Sequence, residues 1–179
     1  MGEADLARVW NGVTAQWLPF AQKDDYESCL RILTRFWRSL KSGGERDWYR
    51  SRVLGMKGHF HEELGDAPAA IRQYKEAAKH ETRGWVNALN YSRLATLLEA
   101  DDPLRSLGYV SQALNCTQPG DSIVVRLLGM LLARESITGF ERALAQHRKL
   151  ILSIYRSRGG RSSENVVAAY AKAKRMSAK

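Results

Sequence analysis

The chain has 179 residues, 44% of them hydrophobic and 26% charged, which suggests one globular domain, or one with a tail, able to bury a core. With 14 glycines and 4 prolines it is neither collagen-like nor linker-dominated, and no apolar run reaches the ~20 residues a membrane-spanning helix needs. Two cysteines, Cys29 and Cys116, make neither a disulfide framework nor a Cys-x-x-Cys pair. The N-terminal stretch MGEADLARVWNGV lacks the basic-then-apolar layout of a secretory signal, so a cytoplasmic location is expected. Lys and Arg total 28 against 19 Asp and Glu, a net charge of +9. The excess is local: from Glu141 to Lys179 there are ten basic residues against Glu141 and Glu164, while the first 140 residues hold 18 against 17. The body and the C-terminal end therefore face different electrostatic tasks.

Helical periodicity dominates. Leu6, Trp10, Val13 and Trp17 recur at helical spacing, which predicts a first helix stopping near Pro19. Asp24 or Asp25 can cap a second, with Cys29, Leu30, Leu33, Phe36, Trp37 and Leu40 on its apolar face, ended by Ser42-Gly43-Gly44. A third is expected from about Glu45 to Leu64, broken at Gly65-Asp66, where the aspartate can cap the next helix and Pro68 fits its first turn. Asp101-Asp102-Pro103 marks another start. From there residues align at an offset of 36: Gly65 with Asp101, Ala70 with Ser106, Ile71 with Leu107, Tyr74 with Val110, Ala77 with Ala113. Recurring small positions let paired helices approach closely, the pattern of stacked hairpins. A third copy, from about Val124 through Ala143 to Leu150, rests on periodicity alone, and Ser162 or Ser163 can cap a last short helix. No stretch alternates long enough to demand a sheet, so the expected class is all-α.

Residues Leu54-x3-Gly58-x6-Gly65-Asp66-x3-Ala70-Ile71-x2-Tyr74-x2-Ala77 resemble the tetratricopeptide (TPR) repeat family over roughly residues 51–82, with a second copy reaching about 116. His61 stands where the family usually has Tyr, Thr82 where it often has Pro, and Leu94 at the small position filled by Gly58. The resemblance implies antiparallel hairpins stacked as a right-handed solenoid over 45–157, preceded by an N-terminal helical pair (1–44) and followed by a basic C-terminal segment (158–179). It also implies a concave groove that holds a partner protein. Carried over by register, the groove positions are Arg52, Gly55, His59, Glu62 and Glu63, then Ala88, Tyr91, Ala95, Leu98 and Glu99. Tyr91 and Leu98 would supply apolar contact, and Arg52, His59, Glu62, Glu63 and Glu99 orientation. A clamp for a terminal carboxylate needs converging donors; Gly55, His59 and Ser92 stand at those positions and argue against one.

The chemistry-bearing residues are sparse. His59 shares a helix face with Glu62 and Glu63, but no second cluster completes a metal or acid–base site. Cys29 sits in an apolar face, which favours a buried, inert thiol. No nucleophile elbow, phosphate-cradling glycine loop or His-Glu-x-x-His occurs, so neither an enzyme nor a cofactor is expected. Four of the five tryptophans fall before residue 49 and are expected in the core, with the Leu6–Trp17 helix as the candidate surface for a homodimer or partner. The basic patch comprises Arg148, Lys149, Arg156, Arg158, Arg161, Lys172, Lys174 and Arg175. It has three readings: a solvated end set partly against a helix dipole, a surface for an acidic protein, or a nucleic-acid contact, which Tyr155 and Tyr170 alone equip with few stacking platforms. A non-enzymatic protein-binding module is the favoured function, and a nucleic-acid-binding helical protein the alternative.

Overall fold

The computed structural model describes residues 2–40, 43–79, 84–157 and 163–175, and among these it is all-helical, with ten helices and no strand. They are α1 (Glu3–Ala21), α2 (Tyr26–Ser39), α3 (Gly44–Glu63), α4 (Ala67–Ala78), α5 (Trp85–Leu97), α6 (Pro103–Asn115), α7 (Ile123–Leu132), α8 (Phe140–Gln146), α9 (Arg148–Ser157) and α10 (Glu164–Arg175). None of the described helices is long and apolar enough to cross a membrane. The chain divides into two compact units, residues 1–82 and 83–179.

In the first unit α1 packs on α2, α2 on α3, and α3 most extensively on α4. The caps follow from the sequence: Asp25 accepts a hydrogen bond from Ser28 N, and Asp66 from Ala69 N, each at 3.0 Å, satisfying amide donors that a helix start leaves open. The carboxyl of Asp25 is held below its ordinary pKa by the Ser28 side-chain and backbone hydrogen bonds. Helix α1 ends at Ala21, two residues past Pro19 and close to the expected stop. A proline withdraws one hydrogen bond, and here only two helical residues follow it before the chain turns at Asp24, whose φ is 57°. The core holds Leu6, Val13, Trp17, Cys29, Leu33, Tyr49, Val53 and Phe60. Tyr49 is fully buried and donates its hydroxyl to Leu6 O at 2.9 Å, fastening α3 to the start of α1. Trp17 meets Phe60 edge-on at 5.3 Å, a favoured aromatic geometry. The stripe Leu6–Val13–Trp17 is buried within its own unit, as expected of core positions, and Val9, Leu18 and Phe20 are the exposed large apolar residues that α1 retains.

Gly58 explains the closeness of the α3–α4 hairpin. A Cβ at this position would lie 2.8–3.0 Å from three ring atoms of Tyr74, so only a glycine lets the ring lie against the α3 backbone. At the equivalent places of the second unit stand Leu94 and Val110, both fully buried. Bulk removed from one partner is thereby restored on the other, the exchange a packed core tolerates best.

In the second unit α5 packs on α6, and Asp102 caps α6 by accepting from Arg105 N at 3.0 Å. The third hairpin does not form as the periodicity suggested: α7 packs chiefly on α10, which also packs on α9, while α8 lies on α6, α9 and α10. The apolar face of α7, with Val124, Leu127, Leu128 and Leu131 buried, receives the small face of α10, Ala169 and Ala173 with Val166. Local periodicity gives α7 and α8 their helical form but does not choose their partners.

Candidate functional site

On α3, Arg52, His59, Glu62 and Glu63 occupy one side of a single helix, at i, i+7, i+10 and i+11. The Arg52 guanidinium lies 3.6 Å from the Trp48 ring centroid and donates to Trp48 O at 3.1 Å; burial over that ring lowers its pKa. Glu62 accepts the Tyr74 hydroxyl at 2.9 Å. His59 Nδ1 faces Glu63 Oε1 at 3.5 Å, an ion pair only while the ring is protonated. His61 turns instead toward Asp66, 3.6 Å away, and burial pulls its pKa down. Among the described residues, no three or more His, Cys, Asp or Glu side chains are grouped so as to hold a metal ion.

Of the groove positions in the second unit, Ala88, Ala95 and Leu98 are buried, and Tyr91 is half-buried and stacked on Tyr109 at 6.0 Å. Ser92 is fully buried and donates to Leu89 O. Glu99 is taken up by Arg134, which is 2% exposed and reaches it at 3.2 Å. The same guanidinium donates to Ser106 Oγ at 2.9 Å, to Met130 O at 2.7 Å and to Ala95 O at 3.3 Å. It therefore ties α5, α6 and the end of α7 together, and a buried charge so fully bonded is a structural group. Neither spacing nor motif marked Arg134, because its partners are contributed by three separate segments.

A second group missed in the sequence is His147, 4% exposed, with Nε2 2.8 Å from Ser111 Oγ. A serine beside a histidine invites comparison with a nucleophile and its base. Burial, however, lowers the His147 pKa to about 4. Near neutral pH the ring is an uncharged hydrogen-bond partner and a poor match for general-base work, which favours a pKa near the operating pH. Cys29 is fully buried, its thiol pushed up by desolvation, and points at Trp17 O; Cys116 caps the end of α6 and is partly exposed.

The basic residues separate into two groups. On α10, Lys172 pairs with Glu135, and Lys172, Lys174 and Arg175 all occupy the last turn, where cations favourably oppose the helix dipole. On α8 and α9, Arg142, Arg148, Lys149 and Arg156 are exposed. Arg158 and Arg161 lie outside the described residues, as does Thr82. Four of the tryptophans pack in or against the first core, but Trp85 is 59% exposed. Comparison of the chain with protein families, curated proteins and solved structures finds no match.

Proposed function

We propose that the chain is a TPR-like helical scaffold that binds another protein without chemical turnover, in the manner of an adaptor, a cargo chaperone or a toxin-neutralising immunity protein, acting in the cytoplasm. The observation that carries this reading is the recurrence, 36 residues apart, of one building unit. Asp66 and Asp102 each cap a helix packed on its predecessor, with the same 3.0 Å bond to the amide three residues on. Repeated hairpins build binding surfaces rather than catalytic pockets. In the first unit the half-exposed His59 and Glu63 and the Arg52 cation held over an indole would make polar contacts; in the second, Tyr91 would make an aromatic one.

The test is capture on the immobilised chain from the native source, followed by calorimetric titration with the purified partner. Replacing His59 by Ala and Glu63 by Lys together is expected to weaken binding by about 10-fold. Titrations unchanged by these substitutions and by Tyr91→Ala would remove the groove from the account. The exposed cations of α8, α9 and α10 support a second reading, nucleic-acid binding through the basic region. Phosphate binding predicts a steep log–log loss of affinity with salt, and reversing the exposed Arg148, Lys149, Lys174 and Arg175 to Glu should abolish it while leaving helicity intact.

A further inference from the structure

The outer face of α9 carries charge that the fold does not use. The His147 amide bonds to Ala143 O at 3.3 Å and the Ile151 amide to His147 O at 3.0 Å, so the helical path runs on from α8 into α9. Phe140, Ala143, Leu144, Ile151 and Ile154 face the core. Opposite them, at about 100° per residue, Arg142, Arg148, Lys149, Leu152, Ser153 and Arg156 fall within an arc of roughly 140°. The four cations are exposed and make no ion pair among the described residues. The one acid on these two helices, the exposed Glu141, falls within the same arc at its α8 end, in the first turn, where a carboxylate gains from the dipole; the arc therefore carries four cations against one acid, and its α9 part carries cations alone. Leu152 lies half-buried among the charges, and Lys149, Leu152, Ser153 and Arg156 line a shallow depression of about 570 Å³.

We propose that this face docks an acidic amphipathic segment of a partner protein, with Asp or Glu on either side of an apolar residue. The inference rests on the protein-binding reading above but not on the groove residues of α3 and α5. Arg148 and Arg156 stand about 12 Å apart along the axis, a little over two turns of helix, which matches acids seven to eight residues apart on a partner helix lying alongside. Leu152 between them distinguishes this occupant from a nucleic acid. A phosphate backbone satisfies the cations but offers an apolar side chain nothing. The face also lacks a free stacking platform, since Tyr155 and the Tyr170 of α10 stack on each other at 3.9 Å.

The probe is a fluorescent peptide about four turns long, with Glu flanking Leu at helical spacing, titrated by anisotropy into the full chain at about 0.1 M salt. Two control peptides replace every Leu by Ser or every Glu by Gln, and a single-stranded oligonucleotide serves as competitor. Reversing Arg148, Lys149 and Arg156 to Glu should weaken binding about 10-fold or more, Leu152→Ser should weaken it several-fold, and Arg126→Glu on α7 should leave it unchanged. Circular dichroism checks that each variant retains its helicity. Equal affinity for the Leu-free peptide or for the Glu-free peptide, or displacement by oligonucleotide at equal charge concentration (the mark of a phosphate surface), would overturn the proposal. So would a triple variant that binds like the parent. Failure here with groove-dependent capture of a native partner intact refutes this inference alone; the reverse pattern refutes only the groove.

Discussion

Gly58→Ala reports directly on how closely α3 and α4 approach. In an open helix the change would stabilise, since alanine exceeds glycine in helix propensity by about 0.5–1 kcal/mol. Here the added methyl would sit 2.8, 2.9 and 3.0 Å from Cε1, Cδ1 and Cγ of Tyr74, well inside the ~3.5–4.0 Å of carbon–carbon contact. The ring cannot readily retreat: it is 2% exposed and its hydroxyl is held by Glu62 at 2.9 Å. Overpacking of this kind costs about 1–3 kcal/mol, so a net destabilisation of about 1–2 kcal/mol is expected in urea unfolding followed by circular dichroism. The second hairpin suggests the remedy, because Leu94 and Val110 fill the equivalent places. Tyr74→Val alone should cost about 3 kcal/mol through the cavity it opens. Combined with Gly58→Ala it should cost less than the sum, with a coupling of about 1–2 kcal/mol. A Gly58→Ala variant more stable than the parent, with additive effects in the double variant, would show that the close approach does not exist.

Three further outcomes are expected. Arg134→Ala should lower the unfolding free energy by about 2–3 kcal/mol, because it removes charge-assisted hydrogen bonds to Ser106 Oγ and the Ala95 and Met130 carbonyls and opens a cavity among α5, α6 and α7, while the exposed Arg126→Ala should change it by less than about 0.5 kcal/mol. The His147 pKa is lowered in the fold from 6.5 to about 4, so its neutral form stabilises the protein fully above pH 6.5, and that contribution fades as pH falls toward 4. Relative to His147→Gln, the parent should lose about 3 kcal/mol across this window, measured as the difference between two stability–pH curves; parallel curves would contradict the burial. A thiol reagent should react with Cys116 in the native protein and with Cys29 only on unfolding, since Cys29 is fully buried and its thiolate is disfavoured.

The helices and their starts were legible because their causes are local. Asp25, Asp66 and Asp102 announce capped first turns within three residues of themselves, and apolar stripes such as Leu6–Val13–Trp17 show which side is buried. That small positions recur where paired helices approach was read from the repeat; that Tyr74 lies against Gly58 was not. What could not be read depends on partners distant in sequence. Nothing near Glu99 indicates that Arg134, 35 residues on, will reach it. Nothing near Leu98 distinguishes a surface contact from a buried one. The expectation of a third hairpin failed for the same reason: α7 is apolar enough to pack on several neighbours, and its small-faced partner, α10, lies beyond α8 and α9.

Residues committed to the fold and residues left available can be told apart by asking what each charge does for its own helix. Lys172, Lys174 and Arg175 occupy the last turn of α10 and gain from its dipole; a structural reason for them is sufficient. Arg148 and Lys149 lie where the helical path of α8 runs on into α9, away from any C-terminal turn, and there the dipole gives a cation no advantage. Glu99 and Glu62 both have internal partners, Arg134 and Tyr74, whereas Arg148, Lys149 and Arg156 face water with Leu152 between them. Clustered like charges repel weakly through a screening length of about 8 Å, so the fold tolerates the arrangement without benefiting from it. A pattern that neither capping, dipole nor core packing requires calls for a reason outside the chain, and an acidic surface carrying an apolar residue meets both halves of the pattern at once.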